Sequence, residues 1–217
     1  MSRLLSILIP TVFDRRDALL RLLNRLMEEF MAVDKKPVLG FISADREAPV
    51  SGVKGESFEI IYYTDGKVMT IGEKRERLYA HATGIYSWQI DDDDDIAVGA
   101  VAKILSVIPR NPDCITFKEL CSINGHEHIA SHSLRYDDWA DNQDGYDFVR
   151  TPYMKDVIRT EIAKSVPVPH TRYGEDHEWS RAIKPHLKTE VHIDDIIYLY
   201  RHESKPEQFK QRYGIIS

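Results

Sequence analysis

Strands alternating with helices through the first half of the chain predict an α/β fold: a mostly parallel sheet flanked by helices, with a second half of shorter, mixed-direction strands. Three observations carry this. A buried apolar run at 4–9 is followed by leucines at helical spacing, the strand-then-helix order recurs twice before residue 110, and five consecutive aspartates, 91–95, close an apolar-aromatic segment.

The elements follow in order. Residues 4–9 read as a fully buried strand, stopped by Pro10. Leu19, Leu20, Leu22, Leu23, Leu26, Met27 and Phe30 recur at helical spacing. Residues 38–42 read as a second short strand and 58–63 as a third. The helix over 72–83 is closed by Gly84, which suits a left-handed cap. Residues 86–90 form the next strand and 98–108 the next helix, stopped by Pro109. Beyond this point the pattern shortens: strands at 114–117, 119–123, 128–134 and 148–150, helices at 153–164 and 175–186, then a strand pair at 190–193 and 196–201. The 217 residues fit a single domain, with 1–110 as a nucleotide-binding half and 111–217 as a half facing an acceptor.

Composition narrows the function classes. A hydrophobic content of 42% with 29% charged residues is that of a globular protein, and no apolar run approaches the ~20 residues that span a bilayer. Two cysteines, Cys114 and Cys121, are too few for a disulfide framework and predict a reducing, cytoplasmic setting. The net charge of −6 speaks against sequence-independent binding to nucleic acid. Two basic stretches leave room for a local groove: Lys74-Arg75-Glu76-Arg77, and the spaced set Arg150, Lys155, Arg159, Lys164.

The aspartate block is the strongest chemical signal. Carboxylates crowded at a strand end repel one another unless a cation offsets them, and Mg²⁺ or Mn²⁺ takes oxygen ligands, commonly one or two carboxylates plus substrate phosphates. In open α/β sheets ligands bind beyond the carboxyl ends of the strands, where this block lies. Asp91, Asp92 and Asp93 are therefore expected to face a metal-linked phosphate. Asp94 and Asp95 read instead as first-turn residues of the next helix, favoured there by its dipole.

Four segments resemble glycosyltransferase family 2. Ser6-Ile7-Leu8-Ile9-Pro10-Thr11 looks like its opening strand. Gly72 to Leu78, then Ala82-Thr83-Gly84-Ile85-Tyr86, resembles the helix and lead-in before its metal motif, although Glu76 stands where the family often has Asn. Gln89-Ile90-Asp91-Asp92-Asp93-Asp94 looks like the Asp-x-Asp signature of GT-A enzymes. Tyr173-Gly174-Glu175-Asp176-His177-Glu178-Trp179 resembles the later Gly-Glu-Asp motif. The blocks run in family order over residues 6–179.

The resemblance implies a GT-A fold and a metal-dependent, inverting transfer of a sugar from a nucleoside-diphosphate donor, a UDP-sugar favoured, to an acceptor hydroxyl. It makes Asp93 the direct ligand of Mn²⁺ or Mg²⁺, with Asp91 on the metal or the ribose. Asp92, Thr11, Lys74 and Arg75 would contact the nucleotide, and Asp45 best matches the base-contacting aspartate. Asp176 would be the general base, with Glu175 orienting the acceptor side. Trp179, one helical turn from Asp176, would wall the acceptor pocket. The acceptor is a carbohydrate or a modified nucleic acid, the latter as in phage-type enzymes that glycosylate hydroxymethylated DNA bases. A sugar-1-phosphate nucleotidyltransferase would carry a Gly-rich loop where Pro10 to Arg15 stands, and a non-catalytic sugar-nucleotide-binding or scaffold protein would not need both acidic motifs. His126, His128 and His132 invite a zinc reading but lack a fourth ligand, so a polar strand is the expectation. His192 and His202 are candidates for an extra metal ligand from the closing segment, with an exposed polar residue the expectation for each. Trp88 is expected in the core.

Overall fold

The computed structural model describes residues 4–33 and 50–203. The predicted strand at 38–42 and Asp45 lie outside them. β1 (Leu5–Val12) leads through one 3-10 turn (Phe13–Arg15) into α1 (Arg16–Val33). β2 (Val50–Lys54), β3 (Phe58–Asp65), α2 (Ile71–His81), β4 (Tyr86–Gln89), β5 (Asp95–Ile96) and α3 (Ala100–Val107) complete the first half. The second half contains β6 (Cys114–Ile123), β7 (His126–His132), β8 (Ala140–Gln143), β9 (Tyr146–Arg150), β10 (Val157–Arg159), α4 (Thr160–Ser165), α5 (Glu175–Ile183) and β11 (Glu190–His202).

One sheet runs β2-β3-β1-β4-β10-β6-β7-β9-β8, with β11 beside β6 and β5 beside β11. Its centre, β3-β1-β4, is parallel, and the second half is mixed, as predicted. The apolar run of β1 is continuous because both faces are covered. Leu5, Ile7 and Ile9 pack with Leu19, Leu22, Leu26 and Phe30 of α1 and with α3. Leu8 packs on the opposite face with Leu78 and Tyr79 of α2 and Trp179 of α5.

Local signals set the helix starts. Thr70 and Glu73 form a reciprocal capping box at the head of α2. The head of α3 is held from a distance: the buried Glu29 carboxylate on α1 accepts the Gly99 N–H at 2.6 Å and the Val101 N–H at 3.1 Å. At Gly72 a Cβ would lie 1.8 Å from the Pro169 carbonyl oxygen, so only glycine lets α2 meet the 168–171 segment.

Several expectations are corrected. Gly84 is not a left-handed cap, since the positive-φ glycines lie elsewhere; it is needed because a Cβ would sit 2.7 Å from the backbone of Leu5 and Ser6. The predicted helix at 153–164 is instead a turn, β10 and the short α4. Val157 and Ile158 are a short apolar pair that periodicity cannot assign, and insertion between β4 and β6 makes them strand. The breaks expected at Lys118 and at Asp194-Asp195 are not strand ends. Lys118 lies within the unbroken β6, and the two aspartates form an irregularity inside the single strand β11, where they pair with Lys118 and Lys103. Among the described residues no helix is long and apolar enough to cross a membrane.

Candidate functional site

A cleft of about 700 Å³ opens at the carboxyl ends of β1 and β4. Its walls come from segments far apart in sequence: Thr11 and Arg15 after β1, Lys74 and Arg75 on α2, Asp91, Asp92 and Asp93 after β4, Glu175, Asp176 and His177 on α5, Trp139, and Tyr200 to His202 on β11. Gly174, at φ 80°, makes the left-handed turn that swings Glu175 and Asp176 into this wall.

The five aspartates have five different surroundings. Asp91 meets Arg75 Nη2 at 2.8 Å, while its other oxygen lies 3.8 Å from Lys155 Nζ. Burial opposes its ionisation, yet the two cations hold its carboxyl below the usual range. Asp92 is buried, takes the Thr11 hydroxyl at 2.6 Å and an Arg15 N–H at 2.9 Å, and burial still pushes it up. Asp93 faces the cleft, 45% exposed, paired with Arg15 at 2.9 Å. Asp94 is not a helix-start residue. One of its oxygens accepts from Lys155 Nζ at 2.8 Å and from the Tyr198 hydroxyl at 2.7 Å; the other accepts the Arg201 N–H at 2.9 Å. Burial pushes Asp94 up to about 7 against the pull of Lys155. Asp95 belongs to β5 and pairs with Arg201. The repulsion expected within the block is thus largely offset by the chain's own Arg15, Arg75, Lys155 and Arg201.

Lys74 is buried, paired with Asp65 and donating to the Thr11 carbonyl at 3.0 Å. Arg75 is buried as a three-way bridge to Gln89, Asp91 and Glu175 at 2.8–3.1 Å. Both reach the cleft wall with their charge directed at protein oxygens. Glu175 is buried against Arg75, and burial pushes its carboxyl up. Asp176 is half-buried in the wall and accepts the His177 N–H. Trp179 does not wall the pocket. It is fully buried, stacked on Tyr79 with its ring N–H on the Val166 carbonyl, because it lies on the core-facing side of α5. The aromatic surface beside Asp176 is Trp139 stacked on His177, ring centroids 4.7 Å apart. Trp88 is core, as expected.

The spaced basic set forms no groove. Arg150 lies over the Trp139 and Phe148 rings, Lys155 is buried, Arg159 binds Asn111 and the Tyr86 hydroxyl, and Lys164 donates to the carbonyls of Ala80 and Ala82. Engaged in this way, the set does not itself argue for a nucleic-acid acceptor. His192 meets Thr116 outside the cleft, whereas His202 lines it. His132 is buried between Asp156 at 3.0 Å and Glu119 at 3.2 Å. Among the described residues no three or more His, Cys, Asp or Glu side chains converge as a metal cage. The donor set still suits a hard cation completed by phosphate oxygens, because the carboxylates of Asp91 and Asp93 both line the cleft.

Arg15, Tyr198 and Arg172 are not site residues in the sequence reading, and Lys155 enters it only as one of the spaced basic set. Arg15 could have been found from its position just past the first strand's end. Arg172 lines the cleft mouth and makes no ion pair among the described residues. Lys155 and Tyr198 carry no local signal, since their partners are distant in the chain.

The buried His132 also gives a pH prediction. Burial alone would push the imidazole down, but the Asp156 and Glu119 carboxylates outweigh it and bring it up to about 9. A group raised in the folded state stabilises fully below its unfolded value, about 6.5, and that contribution is lost as pH rises through the folded value. Stability should therefore fall by a few kcal/mol between pH 6.5 and 9.5, and His132→Asn should flatten that slope in urea titrations. An unchanged slope would show that other groups set it.

No protein-family model matches the chain, and no curated protein matches it. Solved structures do. Residues 1–349 of S. aureus TarS superpose with a TM-score of 0.60 at 16% identity, covering 96% of this chain and 62% of that one. The same protein in complex with UDP-GlcNAc gives 0.61 at 14% identity over 95% and 60% of the two chains, and in complex with UDP 0.59 at 16%. The chain therefore spans about three-fifths of those structures. The likeness establishes the fold, a GT-A-like α/β sheet flanked by helices.

Proposed function

We propose that this chain is a GT-A glycosyltransferase that moves a sugar from a nucleoside-diphosphate donor, a UDP-sugar, to an acceptor hydroxyl with inversion. One observation carries the reading. Three sequence blocks more than sixty residues apart, around Thr11, Asp91 to Asp93 and Glu175-Asp176, line a single cleft at the strand ends. Support comes from the fold it shares with a protein solved with UDP-GlcNAc and with UDP.

The residues divide the work. Asp93 and Asp91 would hold Mn²⁺ or Mg²⁺, which when bound supplies positive charge against the departing diphosphate. Thr11 fixes Asp92, and Lys74 fixes the strand end that carries Thr11. Arg75 ties Asp91 to Glu175, so that the donor-side and acceptor-side acids share one support. Asp176 takes the acceptor proton, and Trp139 with His177 offers the acceptor an aromatic wall. Asp45 remains the proposed contact to the base. Two free, buried cysteines accord with a reducing, cytoplasmic setting.

The test is calorimetry of UDP with and without Mn²⁺. Donor binding should need the cation, and Asp93→Ala should abolish metal-dependent UDP binding while the melting temperature stays near wild type. Equal UDP affinity in chelator would remove the metal assignment. In thermal shift, a nucleotide at 100 times its dissociation constant should stabilise by ~2.7 kcal/mol, and silence with UDP, GDP, ADP and CDP alike would overturn the donor class.

A further inference from the structure

Arg15 stands where a cation would compete with it. It closes the 3-10 turn after β1, with half its side chain exposed, and its Nη1 lies 2.9 Å from Asp92 Oδ1 and 2.9 Å from Asp93 Oδ2. The two carboxylates are not equally held. Asp92 is buried and also fixed by the Thr11 hydroxyl, whereas Asp93 is half-exposed and its ion pair among the described residues is with Arg15. The arginine can therefore leave Asp93 without disturbing the strand end.

We infer that Arg15 is a switchable counter-charge: it yields Asp93 to the divalent cation and passes its guanidinium to the donor's diphosphate. A divalent cation on Asp93 and a guanidinium on the same carboxylate repel each other, so cation binding without nucleotide must work against Arg15. A diphosphate entering the cleft offers Arg15 acceptor oxygens that a guanidinium fork suits. The nucleotide then draws the arginine off Asp93 as it supplies ligand oxygens to the cation. Cation and nucleotide binding become positively coupled through this one side chain, and such coupling is reciprocal. The inference rests on the proposed donor and metal reading.

The experiment titrates Mn²⁺ into wild type, Arg15→Gln, Arg15→Ala and Arg15→Lys by calorimetry, each without nucleotide and with saturating UDP. Losing one half-exposed charge partner should tighten Mn²⁺ binding without nucleotide by about five-fold in Arg15→Gln and Arg15→Ala. In both variants UDP should enhance Mn²⁺ affinity less than in wild type. Arg15→Lys, which keeps the charge, should stay near wild type. Unchanged or weaker nucleotide-free Mn²⁺ binding in both neutral variants overturns the competition. A wild-type protein that binds no Mn²⁺ even with UDP would instead fell the donor and metal reading itself.

Discussion

Asp176→Asn is expected to lower sugar transfer by about 10²–10⁴-fold while donor binding and melting temperature stay close to wild type. The substitution keeps the side chain's volume, and the amide oxygen can still accept the His177 N–H at the start of α5. What it cannot do is take a proton from an acceptor hydroxyl. Glu175→Gln provides the contrast. Glu175 is buried and bound to Arg75, which also holds Asp91, so its loss should loosen the donor side as well as the acceptor wall. Donor affinity should weaken in Glu175→Gln and hold in Asp176→Asn. Transfer at wild-type rate by Asp176→Asn would place the base elsewhere, and a fall in its melting temperature would mark Asp176 as a support for the helix.

The second large effect is on stability. Lys155→Met should cost about 3–5 kcal/mol, because it strips the shared cation from three carboxylates that remain buried or half-buried. Lys155 Nζ lies 2.8 Å from Asp94, 3.6 Å from Glu119 and 3.8 Å from Asp91, and rests over the rings of Tyr198 and Tyr200. For a chain of this size that loss lowers the melting temperature by about 2–4 °C per kcal/mol. Lys155→Met with Asp94→Asn should recover part of it, since one stranded charge is removed along with its partner. A double mutant no better than the sum of the singles would argue that Lys155 acts through packing alone.

The elements with periodic apolar faces were legible in the sequence. β1 and α1 bury residues at the spacing that predicted them, α2 and β4 form where they were read, and the acidic blocks after β4 and at the start of α5 do converge in one cleft. The misreadings share a cause. β10 is a strand because β4 and β6 lie on either side of it, and Trp179 is core because Tyr79 meets it from α2. Neither neighbour is visible in a local window. The same holds for Asp94: next to Asp93 in sequence, it looks like more of the same charge, whereas its partners Lys155, Tyr198 and Arg201 arrive from 61 to 107 residues downstream.

That distance has a consequence for how the protein is made. On a ribosome the parallel centre β3-β1-β4 can pair once about ninety residues have emerged, since domains are built from the N-terminus onward. The aspartate loop cannot be latched then. The Tyr198 hydroxyl and Arg201 N–H that hold Asp94 come 104 and 107 residues later, on a strand that must also find β6 in parallel register. Pairing at such separation is slow, because chain closure precedes the contacts that reward it. The cleft is therefore among the last parts of the described fold to set during synthesis.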